Sequence, residues 1–88
     1  MASLQLTEQG RTLLESGQPD DAIRVLERAV GLNPGNGENY YYLSEAWLMK
    51  GDRTRAEEFN ELAGLYLKED DWKTKLEVQR KRIMRGTR

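Results

Sequence analysis

The 88-residue sequence has no cysteine and no histidine. Without cysteine there is no disulfide, thiolate metal site or thiol nucleophile, and the redox compartment is not legible. Without histidine the usual general base and the commonest metal ligand are missing. The acidic pairs Glu57-Glu58 and Asp70-Asp71 are adjacent in sequence, so their side chains diverge on a helix, and Ser16 and Ser44 have no base to activate them. No enzyme, cofactor or metal is therefore expected. No run of 18 apolar residues occurs, so no membrane-spanning helix is expected either. Met1-Ala2-Ser3 lacks the basic, apolar start of a secretory signal, so none is expected in this stretch. No strand-like alternation of apolar and polar residues is found.

Apolar residues make up 38% and charged ones 33%, a globular composition, and the length suits one domain. The net charge of −1 hides an asymmetry. Residues 1–70 carry 7 basic and 13 acidic side chains, whereas residues 71–88 carry 7 basic and 2 acidic ones. An acidic body is followed by a basic stretch.

Turn residues divide the chain at Gly17–Pro19, Asn33–Gly37, Gly51-Asp52 and the charged run Lys68–Asp71. Between them apolar residues recur every three or four positions, which predicts five helices over about 4–16, 19–32, 38–50, 53–67 and 71–85. The first carries Leu4, Leu6, Leu13 and Leu14. The second opens on Pro19-Asp20-Asp21, a proline that loses no hydrogen bond and two acids that suit the helix dipole. The third presents Tyr40, Leu43, Ala46 and Trp47. Asp52 suits the N-cap of the fourth, whose inward residues are expected to be Ala56, Phe59, Leu62, Ala63 and Tyr66. No glycine or proline lies between Gly64 and Gly86, so the last two helices could fuse. The charged run favours a break at 68–71, with Asp70 or Asp71 as cap.

An offset of 34 residues pairs Leu14 with Leu48, Gly17 with Gly51, Ala22 with Ala56, Glu27 with Glu61 and Ala29 with Ala63. These matches fall at turns and at small residues that let helix axes approach. The period and its residues resemble the tetratricopeptide repeat family. Residues 3–36 match that family's pattern through Leu6, Gly10, Leu13, Ala22, Leu26, Ala29 and Pro34. Residues 37–70 match it through Tyr40, Leu43-Ser44, Trp47, Ala56 and Ala63. Gln9, Asn60 and Lys68 depart from the pattern, Asn60 standing where an aromatic is usual. The resemblance covers about 68 of the 88 residues. It implies an all-α, right-handed array of two helical hairpins, closed by a capping helix over 71–85 that lays Trp72, Leu76 and Ile83 on the second hairpin. Residues 86–88 are expected to form a loose tail, and Met1–Ser3 to be loosely held.

In such arrays the first helices of successive hairpins line a concave groove for a peptide or partner helix. The residues this nominates are Thr7, Arg11, Glu38, Tyr41, Tyr42 and Glu45, with Met49 near the lip. Tyr40, Tyr41 and Tyr42 point about 100° apart, so all three cannot share one buried face. Tyr40 is expected in the core. Tyr41 and Tyr42 either reach the groove or pack on the capping helix or the first hairpin. Thr7, Arg11 and Tyr42 do not match the Lys and Asn clamp by which some family members hold a terminal carboxylate, and Glu45 is a candidate partner for Arg11 across the repeats. The function expected is protein–protein interaction with another protein or peptide. One alternative is that Lys73, Lys75, Arg80, Lys81, Arg82, Arg85 and Arg88 anchor the stretch 71–88 to nucleic acid or an anionic membrane, although a solvated basic helix is the expected reading. Another is self-association, as a homodimer or within a longer array, through an open face bearing Leu4, Leu6 and Leu14.

Overall fold

A computed structural model describes residues 2–85. These form five α-helices: α1 (Ala2–Glu15), α2 (Pro19–Leu32), α3 (Gly37–Met49), α4 (Arg53–Tyr66) and α5 (Asp70–Arg85). No strand occurs among the described residues. The expected tail 86–88 and Met1 lie outside them, and Ala2 and Ser3 are already helical.

The hairpin turns are built twice in the same way. Gly17 and Gly51 sit at φ +74° and +83°, a backbone region nearly free of strain only for glycine. Gly17 N–H donates to Leu14 O at 3.0 Å and Gln18 N–H to Leu13 O at 2.9 Å. Gly51 N–H donates to Leu48 O and Asp52 N–H to Trp47 O, each at 2.9 Å. This double bond pattern satisfies carbonyls that the end of a helix otherwise leaves open. Asp52 then caps α4, its carboxylate accepting from Arg55 N–H at 3.0 Å. The Arg55 guanidinium lies 4.7 Å from the centre of the Trp47 ring, tying the same turn to α3. Asn36 caps α3 by accepting from Glu38 N–H at 3.1 Å.

The core follows an i, i+4, i+7 stripe on the second helix of each hairpin. Ala22, Leu26 and Ala29 on α2 are fully buried, as are Ala56 and Ala63 on α4, with Asn60 between them. Where α1 crosses α2, a methyl group on Gly10 would come within 2.5 Å of Leu26. At the corresponding place in the second hairpin Ser44 Oγ donates to Ala56 O at 2.6 Å. Tyr40 is buried, as expected, and donates its hydroxyl to Pro34 O at 2.6 Å.

Three expectations need correction. On α4 the inward residue is Asn60, whereas Leu62 and Tyr66 are exposed; the stripe through Ala56 and Ala63 turns position 60 inward and 62 outward. On α1 Thr7, nominated for the groove, is buried together with Gly10, because its hydroxyl turns to Asn39 of α3. The break before α5 comes at 67–69, and Asp70 and Asp71 fall in its first turn, not at its cap. Leu67 leaves helical geometry and buries its side chain against Gly37, so α4 ends early and Glu69 O accepts the first bond of α5 from Lys73 N–H.

Helix α5 lays Leu76, Gln79 and Ile83 inward. Asn60 Nδ2 donates to Leu76 O at 3.0 Å and to Gln79 Oε1 at 2.9 Å. Gln79 Nε2 donates to Tyr41 O at 3.0 Å and Glu45 Oε2 at 2.8 Å. One buried amide pair therefore joins α3, α4 and α5.

Candidate functional site

Helices α1, α3 and α5 neighbour one another in that order. Between α1 and α3 lies a recess of about 250 Å³ lined by Arg11, Leu14, Glu15, Tyr41, Tyr42, Glu45 and Met49. Five of the seven nominated residues thus come together. Leu14 and Glu15 were missed, although their spacing from Arg11, i+3 and i+4, marks the same helix face.

The nominated residues differ in what they offer. Thr7 is buried, and its hydroxyl lies 2.9 Å from Ser3 O and 2.6 Å from Asn39 Oδ1. It joins α1 to α3 and presents nothing to a ligand. Its partner Asn39 is fully buried, and its Nδ2 has no hydrogen-bond partner among the described residues. Glu38 stands outside the recess lining, half-buried in the first turn of α3. Its charge nonetheless reaches the Tyr42 hydroxyl.

Arg11 does not pair with Glu45. It lies 3.5 Å from Glu8 and 3.4 Å from Glu15 on its own helix, and the bond to Glu15, then the charge of Glu8, hold its pKa above the usual value. Glu45 is taken from the other side, by Arg82 of α5 at 2.9 and 3.3 Å and by Gln79. Both cations beside the recess are therefore committed to carboxylates within the fold.

Tyr41 and Tyr42 are both half-buried, with rings edge to face at 5.3 Å. Tyr41 meets Trp72 of α5 in the same manner at 5.2 Å. It thus packs against α5 while also lining the recess, two of the three placements the sequence left open. Burial pushes both hydroxyls above the ordinary tyrosine pKa; next in weight comes Glu45 for Tyr41 and Glu38 for Tyr42. Met49 is 46% exposed at the lip. Leu14, Tyr42 and Met49 complete the apolar lining of the recess.

A larger hollow of about 650 Å³ lies elsewhere, between the other face of α1 and α2, lined by Leu4, Leu13, Val25 and polar residues of α1. Leu4 lines this hollow while Leu14 lines the recess, so the single open face expected for self-association is divided in two. On α5, Lys73, Lys75, Arg80, Lys81 and Arg85 are exposed. Arg82 is held by Glu45, and Arg88 lies outside the described residues. Among the described residues no group of His, Cys, Asp or Glu clusters as metal ligands, and no helix is long and apolar enough to cross a membrane.

A family model described as tetratricopeptide repeat matches residues 13–76. No curated protein and no solved structure matches the chain.

Proposed function

Because the chain belongs to the tetratricopeptide repeat family, we propose that it seats a peptide or partner helix in the recess between α1 and α3, without chemistry of its own. Repeats of this family generally mediate protein–protein interaction and are typically non-catalytic scaffolds. The observation that carries the reading is the recess itself. Leu14, Tyr42 and Met49 leave apolar area in a concavity whose neighbouring cations, Arg11 and Arg82, are already paired. At about 250 Å³ the recess suits one side chain of a polypeptide better than a free small molecule, whose sites run from about 300 to 1,000 Å³. Tyrosine and methionine are also enriched at protein interfaces.

The test is a capture experiment with a paired control. A Tyr42→Ala, Met49→Ala chain should lose its polypeptide partner while its helical circular dichroism at the assay temperature stays that of the parent. Leu65→Ala, on the exposed side of α4, should leave capture intact. Capture that survives the double change would refute the recess.

The hollow beside Leu4 favours a second reading, self-association through the uncovered edge of the first hairpin. Sedimentation velocity across a concentration series would then show a larger species that Leu4→Glu removes. A single species with an unchanged sedimentation coefficient at every concentration rejects it.

A further inference from the structure

Carboxylates outnumber cations around the recess. Glu15 and Glu45 line it, and Glu8 and Glu38 lie close enough to act on the Tyr42 hydroxyl. Against these four stand Arg11, shared between Glu8 and Glu15, and Arg82, held by Glu45. Glu38 has no ion pair among the described residues. A ligand carboxylate would meet this acidic rim with no uncommitted cation to receive it. A ligand ammonium or guanidinium would meet surplus carboxylate and the negative face of a half-exposed tyrosine ring.

We propose that the partner segment is basic: an aliphatic side chain seated between Leu14, Tyr42 and Met49, beside a lysine or arginine that reaches Glu15 or Glu38. This rests on the groove reading above and adds the chemical class of its occupant. Charge complementarity selects the partner, and the apolar seat holds it. Arg11 then works against binding, because it neutralises part of the rim that the ligand cation seeks.

The experiment titrates the full isotope-labelled chain with three end-blocked pentapeptides, reading the amide resonances of Leu14, Tyr42 and Met49. One peptide has a central leucine flanked by lysines, one the same leucine flanked by glutamates, and one an alanine flanked by lysines. The lysine–leucine peptide should shift these resonances, and more weakly as salt rises. Reversing the flanking charges should weaken binding about tenfold, the combined effect of two exposed charge pairs. Trimming leucine to alanine should also cost about tenfold through lost apolar burial. Glu38→Gln should loosen the lysine–leucine peptide, and Arg11→Ala should tighten it. A glutamate peptide that binds as well as the lysine one, or an Arg11→Ala chain that binds the lysine peptide more weakly, overturns the basic assignment and leaves the recess standing as a site. If none of the peptides moves these resonances, the groove reading falls along with it. Shifts of the same amides on concentrating the chain alone would place a second copy in the recess and equally overturn the proposal.

Discussion

Three of the four tyrosines, Tyr40, Tyr41 and Tyr42, hold hydroxyls whose pKa is raised, in each case chiefly by burial. Their ordinary value is 10.0, so the folded chain keeps protons that the unfolded chain releases above that pH. The stability they contribute is complete below pH 10.0 and is lost as pH climbs through the raised values. Phenolate absorbance should therefore appear late and steeply, together with loss of helical circular dichroism. A gradual titration with the helices intact would show these hydroxyls to be freely solvated. Gly10 sets a second limit at this scale, since a methyl there meets Leu26 at 2.5 Å. Gly10→Ala should lower stability by about 1–3 kcal/mol, the range for overpacking a tight crossing, read by denaturant titration.

Each hairpin turn relies on a glycine whose left-handed conformation costs other residues about 1–2 kcal/mol. Gly51→Ala should lose about that much in a thermal melt, and Gly17→Ala a similar amount. Equal melts for parent and variants would mean the turns can re-form without positive φ. These turns were legible because glycine is nearly the only residue that fits them, and Asp52 because its side chain caps within its own segment. The alanine stripe was legible for the same reason: close helix crossings restrict the choice. Asn60 was not. It occupies the position that Leu26 holds 34 residues earlier, and its partners Gln79 and Leu76 O lie on a helix that the repeat does not encode. Gln79 gave no sequence signal, since one glutamine in a basic helix looks solvated until its bonds to Tyr41 O and Glu45 are seen. The same long-range capture hid the fate of Glu45, which the sequence offered to Arg11, and of Thr7, which Asn39 takes into the interior. Gln79→Leu should cost about 1–3 kcal/mol by removing partners from buried polar groups. It should also break the bonds to Asn60, Tyr41 O and Glu45, weakening the seat of α5 more than either hairpin.

The Cα radius of gyration is 12.0 Å, close to the ~12 Å expected of a single folded domain of this length. Two hairpins and α5 thus share one interior, and the amide pair spanning α3, α4 and α5 couples the parts that a simple stack would leave to nearest neighbours. The two indoles stand at different joints of that interior, Trp47 under Arg55 at the second turn and Trp72 against Tyr41 where α5 docks. Fluorescence emission can therefore watch the two joints one at a time. In single-tryptophan chains carrying Trp47→Phe or Trp72→Phe, coincident denaturation midpoints would mean that α5 and the second turn melt as a unit. An earlier midpoint at Trp72 would mean that α5 can lift away alone, uncovering Tyr41 beside the recess and enlarging its aromatic floor.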